Sequence, residues 1–251
     1  MIEIKNISKF FGDRKVVNNI SFVFETGKTN LIIGESGSGK TVLMKCMVGL
    51  HQPDEGEVFY DNREFSKLNF KEKKNIRREI GMLFQGAALF DSQTVEENII
   101  FPLSMFTKMS KDEKIERANF CLKRVNLFNV NHLYPSELSG GMKKRVAIAR
   151  AIAAQPKYLF CDEPNSGLDP QTSIVIDSLI KEITEEYGIT TVVITHDMNS
   201  VMEIGDKIMF IYKGEKLWEG NKDQIIRDNT PKLVDFVFAT KFMKEVREKI
   251  K

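Results

Sequence analysis

The 251-residue sequence predicts an α/β fold: a parallel sheet flanked by helices, with a small antiparallel sheet ahead of it and a helical subdomain inserted into it. Three observations predict this. Apolar runs too short for helices alternate along the chain with helix-period patterns, the order that builds a parallel sheet. Two stretches of period-2 alternation lie close together before the first of those runs and read as antiparallel strands. From Asp91 to Leu133 the pattern is helical only.

The elements follow in order. Residues 2–7 alternate apolar and polar, 10–14 turn, and 20–24 alternate again before the turn at 25–28. Leu31, Ile32 and Ile33 are apolar, and beyond a glycine-rich stretch a helix runs from Val42 to about Leu50. Residues 52–56 are a turn cluster, 57–60 a short strand, 71–78 a basic, solvated helix face, and 80–84 a buried strand ending at Gln85. Thr94 with Glu97, and Ser110 with Glu113, are spaced as capping boxes. Pro102 is expected to limit the first of these helices; Ile115, Ala118, Leu122 and Val125 mark one face of the second.

Residues 138–142 open a helix that Pro156 stops, and 158–161 form a strand ending in Asp162 and Glu163. Ile176, Leu179, Ile180, Ile183 and Tyr187 share a side of the next helix, which Gly188 caps. Residues 190–195 are a β-branched strand that reaches His196, and strands near 207–212 and 215–219 follow. In the tail Ala239, Phe242, Met243, Val246 and Ile250 recur at helical spacing. Residues 1–220 are therefore expected to form the main domain, with the helical subdomain at about 91–155, and 221–251 a C-terminal helical extension.

Gly34, Glu35, Ser36, Gly37, Ser38, Gly39, Lys40 and Thr41 match G-x-x-x-x-G-K-[ST] between a strand and a helix. Glycines let the backbone curl until successive N–H groups face one concavity, and the helix N-terminus adds its positive end. Lys40 brings a point charge to the outer phosphates of a nucleotide, and the Thr41 hydroxyl is placed for Mg²⁺. ATP with Mg²⁺ is the expected ligand.

In a parallel sheet, ligands lie beyond the carboxyl ends of the strands. Three further strands deliver polar residues there. Asp162 suits Mg²⁺ because a hard cation takes carboxylate oxygen. Glu163, one residue on, points elsewhere and can act as general base on the attacking water. Gln85 can sense the γ-phosphate or the metal, and His196 can bond the γ-phosphate and hold Glu163 and water in register. Ser139, Gly140 and Gly141 form a second anion-binding constellation at a helix N-terminus. Two half-sites in one chain imply a two-fold dimer in which each copy completes the other's site.

Composition bounds the rest. With 42% apolar and 29% charged residues and a net charge of +2, the chain is an ordinary globular protein with no electrostatic case for nucleic acid. No apolar run is long enough to span a bilayer, and the first residues lack a signal-peptide layout. The three cysteines, Cys46, Cys121 and Cys161, have no metal-ligand spacing and suit the core of a protein in a reducing compartment. A cytoplasmic location is expected, with any membrane role supplied by a partner.

The ordered set of the glycine-rich loop, Gln85, Leu138-Ser139-Gly140-Gly141, Asp162-Glu163, Ser166-Gly167-Leu168-Asp169 and His196 resembles the ATP-binding subunit of ABC transporters over roughly 1–220. The resemblance implies an ABC-type nucleotide-binding domain with a RecA-like parallel-sheet core, an ATP-sandwich homodimer, and closure that drives an integral-membrane permease. It also implies that Phe11 stacks on adenine and that Asp169 belongs to the nucleotide site. Residues 82–90 and 135–142, with Met142 where most of the family has Gln, resemble the Mla (MCE-associated) phospholipid-transport ATPases. That finer resemblance implies a permease of the Mla type, an MCE-domain protein reached through it, phospholipid traffic between inner and outer membranes, and a peripheral place on the inner membrane's cytoplasmic face. In that branch a C-terminal extension reaches the twin subunit, which the resemblance implies for residues 231–251. The alternative within the family is another cargo, such as lipoprotein release, organic-solvent-related transport or amino-acid uptake. A soluble ABC ATPase of translation or DNA repair usually carries two cassettes or a long coiled-coil insertion, and neither is present. A P-loop kinase leaves Ser139-Gly140-Gly141 and His196 unexplained.

Overall fold

The computed structural model describes residues 1–239, 244, 245 and 247, and among them nineteen α-helices and β-strands follow one another. They are β1 (Ile2–Phe11), β2 (Arg14–Phe24), β3 (Thr29–Ile33), α1 (Lys40–Met47), β4 (Glu55–Tyr60), β5 (Arg63–Glu64), α2 (Phe70–Arg78), β6 (Ile80–Leu83), α3 (Val95–Phe106), α4 (Lys111–Arg124), α5 (Gly140–Ala153), β7 (Tyr158–Asp162), α6 (Pro170–Tyr187), β8 (Thr190–Thr195), α7 (Met198–Ile204), β9 (Lys207–Tyr212), β10 (Glu215–Gly220), α8 (Lys222–Arg227) and α9 (Pro231–Val237). The chain divides into two units: residues 1–68 with the segment from Val192 onward, and residues 69–191.

The first unit holds both kinds of sheet. β1 and β2 pair antiparallel from Ile2 opposite Phe24 to Phe11 opposite Arg14, and β4 joins the other edge of β1. Alternation explains this sheet: Ile2, Ile4, Ile20, Phe22 and Phe24 are buried while residues between them face out. The second sheet runs β10, β9, β3, β8, with β3 parallel to β9 from Asn30 opposite Lys207 to Ile33 opposite Phe210. Every residue of β3 and of β8 is buried, so these strands read as continuous apolar or β-branched runs instead of alternating ones.

In the second unit β6 lies parallel to β7, from Ile80 opposite Tyr158 to Leu83 opposite Cys161; α5 and α2 pack on β6, and α3, α4 and α6 pack on α5. Both capping boxes form: Thr94 and Glu97, and Ser110 and Glu113, exchange side-chain and main-chain bonds. Pro102 does not end its helix. α3 continues to Phe106, because buried Val95, Ile99 and Leu103 hold one face across the proline and outweigh the lost N–H bond. Tyr187 leaves the buried face of α6 and is 39% exposed, while Ile176, Leu179, Ile180 and Ile183 stay inside. All three cysteines are buried and free. The apolar repeat expected in the tail falls, apart from Ala239, outside the described residues.

Candidate functional site

The phosphate loop belongs to the first unit, and its glycines are dictated by geometry. Gly34 has φ +151, and a Cβ there would sit 2.2 Å from the Ile211 carbonyl oxygen and 2.9 Å from Ser38 Oγ. Gly39, at φ +103, precedes α1, which has no capping side chain. With no side chain on its N-cap residue, α1 turns its positive end toward the loop uncapped by Gly39, the arrangement that receives an anion. Lys40 is buried, and its ammonium lies back along the loop, donating to the carbonyls of Gly34 (2.8 Å) and Glu35 (2.9 Å). Ser38 Oγ is buried with no hydrogen-bond partner. An orphaned hydroxyl, a curled backbone and a cation at one place fit a phosphate chain.

The loop is sewn to its surroundings. Gly214 donates to the Ser38 carbonyl (3.1 Å) and accepts from the Asn18 N–H (2.8 Å). A cavity of about 260 Å³ opens on residues 35–38, with Arg14, Lys15 and Lys213 on its wall. Phe11 is 47% exposed; the His51 ring meets it edge-on at 5.6 Å, and the Lys9 ammonium lies 5.7 Å from its centre. His196 follows β8 and is exposed.

Gly34→Ala should cost on the order of 3 kcal/mol, because a methyl group must displace backbone. Gly37→Ala, at φ +78 with nothing within 4 Å of its Cβ, should cost only the left-handed strain, about 1–2 kcal/mol. Denaturant midpoints of the two variants give the ordering; equal losses would show that crowding at Gly34 is relieved.

The remaining predicted residues lie in the second unit. Asp162 ends β7 and is buried, and Glu163 follows in the left-handed region at φ +48. Gln85 follows β6, and its amide donates to Ser166 Oγ (3.3 Å). Ser139 caps α5 by accepting the Met142 N–H (3.3 Å). Asp169 caps α6 through the Thr172 N–H (3.0 Å) and hydroxyl (2.6 Å), and these bonds hold its carboxyl below the usual range. A Cβ on Gly141 would fall 2.5 Å from Thr172 Cγ2, so the start of α5 lies close against the start of α6 and a larger residue would force Thr172 to shift. The structure therefore brings Ser139, Gly140 and Gly141 together with the segment 168–172. Thr41, Gln85 and Asp162 offer hard oxygen donors, which suit Mg²⁺. Among the described residues no group of three or more His, Cys, Asp or Glu could hold a metal, and an ion shared with phosphate oxygens needs none.

Sequence reasoning missed Lys144 and Arg150. Lys144 is buried on α5 and bonds the carbonyls of Gln85 and Glu163; Arg150 bonds those of Ala87 (2.8 Å) and Ala88 (2.7 Å). A cation at a position facing the core was the available signal, since α5 buries Val146, Ala147, Ile148 and Ala149 around it.

A glycine loop of this geometry at a strand–helix junction defines a P-loop nucleotide-binding protein. A family model described as ABC transporter matches residues 17–166. The chain is 45% identical over 213 residues to the methionine import ATP-binding protein MetN of Clostridium tetani, covering 84% of this chain and 66% of that one. It is 38% identical over 261 residues to MetN of Campylobacter jejuni, covering 98% and 78%. It thus spans about two thirds to three quarters of these relatives' length. The dimeric bacterial ABC transporter cassette MJ0796 superposes with a TM-score of 0.82 at 37% identity, covering 88% of this chain and 98% of that one. A second structure of that cassette is a post-hydrolysis state with ADP and Pi, at a TM-score of 0.80. The chain belongs to the ABC transporter family and is an ATPase.

The resemblance to the Mla phospholipid ATPases is overturned, because these relatives at 38–45% identity are methionine import proteins. The physical reason is visible at Met142. What it gives the α5 cap is its main-chain N–H, which any residue but proline supplies.

Proposed function

We propose that this chain is the ATP-hydrolysing subunit of an amino-acid importer, with methionine as cargo, acting as a homodimer beneath an integral-membrane permease. The observation that carries this reading is the run of relatives named for methionine import at 38–45% identity. Peripheral attachment suits it, since among the described residues no helix is long and apolar enough to cross a membrane. In this reading the loop from Gly34 to Thr41 wraps the triphosphate and Phe11 stacks on adenine. Thr41 and Asp162 would hold Mg²⁺, which would neutralise phosphate charge, and Gln85 would report on metal and γ-phosphate. Glu163 is the general base and His196 orients it. Ser139, Gly140, Gly141 and Asp169 serve the nucleotide of the second copy.

The permease has a suitable seat in the second unit. An apolar cavity of about 240 Å³ is lined by Phe84, Phe90, Phe101, Pro102 and Phe106, with Arg78 and Arg150 also on its wall. Phe84, Phe90 and Phe101 are 37–41% exposed, an apolar patch that suits a helix from a partner. Reconstitution with its membrane permease in liposomes should give ATP-driven methionine uptake that Lys40→Ala abolishes. Uptake that persists in Lys40→Ala, or ATP-driven uptake of a different solute only, would overturn the reading.

A further inference from the structure

Three non-glycine residues of the second unit next to candidate catalytic groups have a left-handed backbone: Glu163 (φ +48), Ala87 (φ +63) and Ala88 (φ +49). An L-residue there is strained, and such strain persists only where the surroundings over-determine it. In all three cases the carbonyl oxygen receives a bond from a cation of α5. Lys144 donates to the Glu163 carbonyl at 3.4 Å and also to the Gln85 carbonyl; Arg150 donates to those of Ala87 and Ala88. The Ser166 N–H gives Glu163 a second donor at 3.2 Å.

Lys144 is the more telling of the two. Only 5% of it is exposed, and a lysine is retained inside a protein only when its ammonium is bonded. Burial lowers its affinity for the proton, and the nearby carboxylates of Asp162 and Glu163 partly offset that. Its ammonium bonds main-chain carbonyls, so it does not compete for the carboxylate that would meet water.

We propose that Lys144 is a positioning residue for hydrolysis: it fixes the main chain at Glu163 and Gln85 to α5, the helix that Ser139 caps. This rests on the assignment of Glu163 as base. The side chain then hangs from a backbone whose place is set by the helix that would meet the second copy's nucleotide. A shift of α5 moves the Glu163 carbonyl with it, and a displacement of about 1 Å at a catalytic group can cost up to about 10²-fold in rate.

The test uses the full chain and steady-state ATP hydrolysis. Lys144→Met keeps the stem and removes the donors; kcat should fall roughly 10- to 100-fold while KM for ATP stays within about twofold. Lys144→Arg should recover part of the loss, since it keeps charge and donors. Should Lys144→Met not fold, Lys144→Gln keeps one amide donor and should lie between wild type and the expected loss. A folded Met or Gln variant with wild-type kcat, or a loss confined to KM, would overturn the proposal, as would an Arg variant no better than Met. Glu163→Gln is measured alongside. If it hydrolyses ATP normally, the base assignment itself has failed; if it is inactive while Lys144→Met turns over normally, only the role of Lys144 has failed.

Discussion

Glu163→Gln should bind ATP with unchanged affinity and hydrolyse it about 10²- to 10⁴-fold more slowly than wild type, the range a positioned general base supplies. The substitution keeps the shape, the left-handed backbone and the carbonyl that accepts from Lys144 and Ser166. It removes only the ability to take a proton. The neighbouring carboxylate gives the contrast. Asp162 ends a strand in which every residue is buried, while Glu163 is the first residue beyond it and only half-buried. The backbone turns left-handed at Glu163 itself, and the proposed mechanism gives the two adjacent carboxylates different tasks. Asp162→Asn should therefore weaken the response to Mg²⁺, whereas Glu163→Gln should leave it intact. Nucleotide titration by fluorescence and phosphate release at saturating ATP separate the two. A Glu163→Gln protein that turns over at the wild-type rate would remove Glu163 from the mechanism.

What was legible in the sequence is what local chemistry decides. The loop glycines could be read because φ values of +151, +78 and +103 at Gly34, Gly37 and Gly39 are open to glycine and little else. The capping boxes of α3 and α4 could be read because they are closed over four residues. What was not legible depends on distant partners. Lys144 reaches back 59 positions to Gln85, and Arg150 reaches 63 positions to Ala87. α7 has only seven residues and a side-chain cap at Asp197, too little for a periodic signal. Pro102 was misread because tertiary packing of one helix face overrode a local rule. Cargo was misread for a different reason: the family's ATPase subunit meets phosphate and a permease, so short motifs around Gln85 and Ser139 carry nothing about the transported molecule.

Mixing two inactive variants should restore hydrolysis. Ser139→Asp keeps the cap of α5, because an aspartate accepts the Met142 N–H as serine does. It also sets a carboxylate against any phosphate brought to that helix end, so the fold survives while the half-site repels its ligand. Lys40→Ala removes the cation that sits among the Gly34 and Glu35 carbonyls and should be inactive alone. In a mixed dimer one nucleotide meets an intact loop from one copy and an intact Ser139 from the other, while the opposite site has lost both. Random pairing makes half the dimers mixed with one of two sites intact, so activity should recover to about a quarter of wild type if the sites act independently, and less if they do not. The exposed positions of Ser139, Gly140 and Asp169 leave that face open to a second copy. No recovery at any mixing ratio would mean that the sites are not shared, and a fully active Ser139→Asp protein would mean that this helix end never meets the nucleotide.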